Sequence, residues 1–141
     1  MSDKIKEYIS AQPLERQTIL SGIHSVILEE DKTVTAEVEP MMGKELIMYK
    51  DRGMMKYGLG SVKKFMTLHV LPIYGSKTLH SKYEALLPKA IFQKGCINFE
   101  NAENIPLGIL RELMAECSRI DLVKIREDYL KQKKTKNKTK S

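Results

Sequence analysis

The sequence predicts an α+β fold, an antiparallel sheet in mid-chain with N- and C-terminal helices packed on one of its faces. Three observations carry this. The apolar segments Leu46–Tyr49, Met54–Leu59 and Phe65–Pro72 follow one another closely, separated by Asp51-Arg52-Gly53 and Gly58-Leu59-Gly60-Ser61, as in a meander joined by tight turns. Helical spacing of apolar residues flanks this region on both sides. Such a meander buries one face only if other elements cover it, and the flanking helices are available to do so.

Each element follows in order. Ile5, Tyr8 and Ile9 make one stripe of a short first helix, which Pro13 stops. Pro13 then suits the first position of a second helix, where a missing N–H costs nothing. Leu20, Ile23 and Ile27 form its stripe, widened by Ile19 and Val26, and it ends near Glu29-Glu30-Asp31. Gly22 costs about 1 kcal/mol against Ala in a helix interior, so a close approach by another element is expected there. No clear period marks residues 33–44. Glu45–Lys50 reads as a strand, Asp51-Arg52-Gly53 as a three-residue turn with Gly53 left-handed, and Met54–Leu59 as a second strand. In the third, Met66, Leu68 and Val70 face one way and Phe65, Thr67, His69 and Leu71 the other. The first group is the expected covered face; the second mixes polar and apolar residues, as an open face would. Leu79, Tyr83, Leu86 and Leu87 predict a helix ended by Pro88, and Cys96–Phe99 a short strand. A helix opened by Asn104-Ile105-Pro106 carries Leu110, Leu113, Met114 and Cys117, and a last one, capped by Asp121, carries Leu122, Ile125 and Tyr129. Leu20, Ile23, Ile27, Met66, Leu68, Val70, Leu110 and Leu113 are the expected core.

At 141 residues, 42% hydrophobic and 30% charged, the chain has the composition of one globular domain. Its net charge of +6 is not spread over that domain. Residues 131–141 hold six lysines and no acid, and setting these aside leaves 18 basic against 18 acidic residues. The reading is a neutral domain over 1–130 and a disordered lysine-rich tail over 131–141 that contacts nucleic acid only weakly, through charge. No apolar run reaches the roughly 18–20 residues of a membrane span, and the first residues lack an apolar signal core. A cytoplasmic location without membrane association is the expectation. Cys96 and Cys117 are too few for a disulfide scaffold and read as small buried hydrophobes.

The order of elements, with Ile27-Leu28-Glu29-Glu30, Leu46-Ile47-Met48-Tyr49, Met66-Thr67-Leu68-His69-Val70-Leu71-Pro72-Ile73-Tyr74, Lys94-Gly95-Cys96-Ile97-Asn98-Phe99 and the Pro106-Leu107 helix start, resembles the YdhG-like family over residues 3–130. That family is a bacterial domain of unknown function that includes proteins described as frataxin-like iron chaperones. The resemblance implies a two-layer sandwich with the helices on one face of the sheet.

Phosphate-loop, zinc-protease and nucleophile-elbow signatures are absent from the sequence, so no enzymatic activity is expected. Gly58-x-Gly60 reads as a turn. Two constellations stand out. Tyr49, Tyr57, Thr67, His69 and Tyr74 would form an aromatic surface with polar tips if they converge on the open sheet face, and such surfaces bind small molecules or peptides. Glu29, Glu30, Asp31, Glu37 and Glu39 are the acids that could gather on one edge and hold a hard cation through oxygen. The leading expectation is a non-enzymatic binding domain for a small molecule or peptide, with no resident cofactor. The alternative implied by the resemblance is an iron chaperone binding iron through the acidic edge. A protein partner or a homodimer is compatible with either.

Overall fold

The computed structural model describes residues 3–139. The chain runs α1 (Asp3–Ser10), α2 (Leu14–Glu30), β1 (Thr35–Met41), β2 (Lys44–Asp51), β3 (Met54–Ser61), β4 (Met66–Val70), a single turn α3 (Leu71–Tyr74), α4 (Lys77–Leu86), β5 (Ile91–Gln93), β6 (Cys96–Phe99), a 3-10 turn Ala102–Asn104, α5 (Leu107–Ser118) and α6 (Leu122–Thr139). The strands form one sheet in the order β1-β2-β3-β4-β6-β5, and every neighbouring pair is antiparallel. The α+β class is as expected.

Local chemistry explains the turns. Met41 pairs with Lys44 and Asp51 with Met54, which leaves two-residue connections at Met42-Gly43 and Arg52-Gly53. All four of these residues have positive φ, from 49° to 83°. That is the turn whose twist matches antiparallel strands, with glycine second. Gly53 is left-handed as expected, but the turn is one residue shorter. Gly58-Leu59-Gly60-Ser61 is not a turn. It lies inside β3, where Leu59 pairs with Leu68 in the core. β1 had no signal because Glu37 and Glu39 alternate with small or medium apolar residues and Pro40 interrupts the run. A proline is tolerated there because β1 is an edge strand.

One face of the sheet carries the core. Ile47, Tyr49, Tyr57, Leu59, Leu68, Val70, Ile97 and Phe99 join a single cluster with Ile5 and Ile9 of α1, Leu20, Ile23 and Ile27 of α2, Tyr83 of α4 and Leu110, Leu113 and Met114 of α5. All eight expected core residues are completely buried. Gly22 lets α5 close on α2: a Cβ there would stand 3.2 Å from Leu107 Cδ1. Asp121 caps α6 through Lys124 N–H at 3.0 Å.

The expected disordered tail is corrected in part. α6 does not stop at residue 130 but continues to Thr139, because lysine and glutamine favour helix and no glycine or proline interrupts them. Residues 124–133 of this helix are exposed, Ile125 and Tyr129 included. The last two residues of the tail lie outside the described ones. Among the described residues no helix is long and apolar enough to cross a membrane.

Candidate functional site: a groove on the open sheet face

Strand parity determines what the second sheet face displays. With Val70, Leu68 and Tyr57 turned to the helices, their neighbours turn away. In register across the sheet, these are Met48 and Leu46 on β2, Gly58 and Gly60 on β3, His69 and Thr67 on β4, Cys96 and Asn98 on β6, and Gln93 and Ile91 on β5. The two glycines are spaced for this face. At Gly58 a Cβ would stand 2.6 Å from Met55 Cε and 3.3 Å from His69 Cδ2, so the missing side chain makes room for Met55. At Gly60 a Cβ would meet Leu46 Cβ at 3.5 Å, Thr67 Cγ2 at 3.6 Å and Tyr8 Oη at 3.9 Å, all ordinary contacts. Gly60 is thus the floor of a groove of about 370 Å³, with Leu46, Met41, Val62 and Phe65 as apolar walls and Thr67, His69, Cys96 and Asn98 along its polar side. Arg16 of α2 anchors the far end: its Nη1 donates to Ser61 Oγ at 2.8 Å and to the Val62 carbonyl at 2.5 Å.

At the polar side, His69 and Cys96 face each other directly across β4 and β6. Val70 N–H donates to the Gly95 carbonyl, so the His69–Cys96 pair falls between ladder hydrogen bonds, where side chains come closest. Cys96 Sγ lies 3.0 Å from His69 Nδ1. Burial lowers the pKa of the imidazole and raises that of the thiol, so at neutral pH both are uncharged, and Nδ1 stands where it can accept the thiol proton when the ring carries its hydrogen on Nε2. Asn98 Nδ2 donates to Gln93 Oε1 at 3.2 Å, which uses one of its two amide hydrogens. A second hollow of about 500 Å³, lined by Leu71, Tyr74, Lys94 and Gly95, shares His69, Cys96 and Gln93 with the groove. The pair stands where the two hollows meet.

The tyrosine reading is corrected for two residues. Thr67, His69 and Tyr74 line these hollows, but Tyr49 and Tyr57 pair with each other on the covered face and are completely buried. Tyr49 Oη lies 2.6 Å from His24 Nδ1, and burial drives its pKa well above the ordinary phenol value. Tyr57 Oη donates to Asp31 Oδ2 at 2.6 Å. A bulge brings Lys56 to the same carboxylate. Tyr49 pairs with Tyr57 but Lys50 with Met55, so Lys56 is an extra residue, and it turns inward beside Tyr57. Its ammonium reaches Asp31 Oδ2 at 2.8 Å with both side chains buried.

The acidic edge is likewise corrected. Asp31 is completely buried. Burial raises its pKa, but hydrogen bonds from Lys56, Thr33 and Tyr57 outweigh that and hold the carboxyl below its usual range. A carboxylate opposing the α2 dipole is tolerated because these donors surround it. Glu29 and Glu30 both bind Arg111 Nη1 at 2.8 Å, and Glu39 pairs with Lys50 at 2.6 Å. Glu37 stands on β1 with Glu39. Among the described residues no three His, Cys, Asp or Glu side chains gather as metal ligands would.

Cys96 and Asn98, two members of the groove absent from the sequence-derived set, had a signal. They alternate with Ile97 and Phe99 along β6, so one parity of that short strand was open from the start. Cys117 is completely buried, as expected, whereas Cys96, expected to be buried as well, is only half-buried because it lies on the open face of β6. Comparison with family models, curated proteins and solved structures found no match.

Proposed function

We propose that this protein is a binding domain that takes a small amphipathic molecule in the groove on the open sheet face. The single observation that carries this reading is the glycine floor. Gly60 is a residue without a side chain in a strand interior, a position that weakens a sheet unless something must come close to the backbone. Around it, apolar walls face a row of polar side chains, the composition of a small-ligand cleft. At about 370 Å³, the groove is at the small end of the roughly 300–1,000 Å³ range of such sites. An apolar tail of modest length with one polar end fits it.

The iron-chaperone alternative is the weaker one, since four of the five acids it would use, Glu29, Glu30, Asp31 and Glu39, are paired with Arg111, Lys56 and Lys50. The test is titration of octanoate into isotopically labelled protein. Amide shifts confined to Gly60, Thr67, His69, Cys96 and Asn98 are expected. Gly60→Val should retain the fold, because its Cβ meets only ordinary contacts, and should abolish those shifts by filling the floor. Shifts scattered over the surface, or unchanged in Gly60→Val, would remove the reading.

A further inference from the structure

We infer that Cys96 and His69 form a nucleophilic pair by which the groove takes an acyl thioester and keeps its acyl group covalently. This rests on the groove being a ligand site and adds what the ligand is.

Three observations lead to it. First, the Cys96 thiol and His69 Nδ1 are 3.0 Å apart, within the reach a base needs to take a nucleophile's proton. The rigidity of two paired strands holds them there, and each is half-buried, so a ligand in the groove can reach the sulfur. Second, the pair lies at the junction of two hollows. A group-transfer reaction needs that arrangement: one hollow for the group retained, the other for the group that leaves. The groove beyond Gly60 is walled by Leu46, Val62 and Phe65 and suits an acyl chain, while the hollow beside the exposed Lys94 and Tyr74 is left for the departing thiol. Third, Asn98 stands two residues along β6 on the same face with a second amide hydrogen to offer, and a carbonyl oxygen that gains charge requires such a donor.

The step balances without any other reactant. Cys96 Sγ attacks the thioester carbonyl carbon as His69 Nδ1 accepts the thiol proton. The tetrahedral intermediate collapses, the bond from carbon to the original sulfur breaks, and the leaving thiolate takes the proton from His69. Cys96 carries the acyl group as a new thioester, and one free thiol is released. The neutral pair stores no thiolate in advance, so capture depends on the base rather than on a permanently ionised sulfur.

The experiment is incubation of the full chain with octanoyl-N-acetylcysteamine, followed by intact-mass and peptide-mapping mass spectrometry across pH. One octanoyl group on the Cys96 peptide is expected, in the wild type and in Cys117→Ala, and none in Cys96→Ala. His69→Asn should slow labelling by about 100-fold, the scale of a positioned general base. Its rate should then climb with pH only as the thiol itself ionises, whereas the wild-type rate follows the imidazole. Equal labelling of Cys96 and Cys117 in unfolded and native protein, no labelling of Cys96, or an unchanged rate and pH profile in His69→Asn would each overturn the inference. Octanoate titration separates the two readings. Groove shifts without acylation would remove the covalent step and leave the binding site, and loss of both would remove both.

Discussion

Replacing Lys56 by methionine isolates the buried ion pair beneath the sheet. Met keeps the length and apolar stem of lysine but removes the ammonium that stands 2.8 Å from Asp31 Oδ2. Removing one partner of a buried pair costs about 3–5 kcal/mol, because the other charge stays in a poorly solvated place. Here Asp31 keeps Tyr57 Oη at 2.6 Å, Thr33 Oγ1 at 2.5 Å and Thr33 N–H at 3.0 Å, so the lower end, about 3 kcal/mol, is expected. The pH dependence supplies the sign. In the wild type the Asp31 pKa is lowered, so its contribution is present above the unfolded value of about 3.9 and is lost as pH falls through the folded one. Without Lys56, burial prevails and the folded carboxyl rises above the unfolded value. The folded variant then binds the proton more tightly than its unfolded chain, and the gap to wild type narrows on acidification. Urea unfolding at pH 7 and pH 4.5, followed by far-UV circular dichroism, measures both. A loss below about 1 kcal/mol, the scale of an exposed pair, with a gap that does not change with pH, would refute the account. Asp31→Asn combined with Lys56→Met should recover part of the loss, since the uncompensated charge is gone.

Leu68→Ala should destabilise the protein by about 2–5 kcal/mol, because Leu68 is completely buried at the centre of the sheet, and urea unfolding reads the loss; a neutral result would invert the faces. Gly53→Ala should cost about 1 kcal/mol by the same measurement, since φ at this turn is 81° and a Cβ is disfavoured there. Stability should fall as pH drops below about 6.5, because burial lowers the folded pKa of His24 and His69 and the unfolded chain binds the proton first; a urea midpoint constant from pH 7.5 to 5 would contradict this. Truncation after Leu130 should lower helical ellipticity but leave the thermal midpoint in place, since residues 124–133 are exposed. Any nucleic-acid binding should vanish with the six lysines and fall steeply with salt.

The helices and the covered face were legible in the sequence for a definite reason. Leu20, Ile23 and Ile27, like Leu110, Leu113 and Met114, repeat at the helical period, and Met66, Leu68 and Val70 at the strand period. Burial of one side of each element follows from local periodicity alone. Cys96 and Asn98 carry the same kind of signal, the second parity of a strand whose first parity is Ile97 and Phe99, but four residues are too short a run to tell an open parity from a buried one, and Cys96 reads as a buried hydrophobe. Glycine spacing was not enough by itself. Gly58 and Gly60 carry the same local signal whether they form a turn or pave a strand face, and only the Leu59–Leu68 pairing distinguishes the two.

What only the tertiary structure decided is register, and register decides which side chains meet. Tyr49 and Tyr57 went to the core because the β2–β3 register gives them the parity of the buried Ile47 and Leu59, and a shift of one residue would have exchanged the faces. Asp31 left the acidic edge because the bulge at Lys56 delivers an ammonium to it. His69 and Cys96 are separated by 26 intervening residues and meet because β6 passes β5 to pair with β4. Local sequence encodes which face of each element is apolar, since that depends on residues three or four apart. The partner across a strand depends on how the whole chain closes, and the groove is made of such partners.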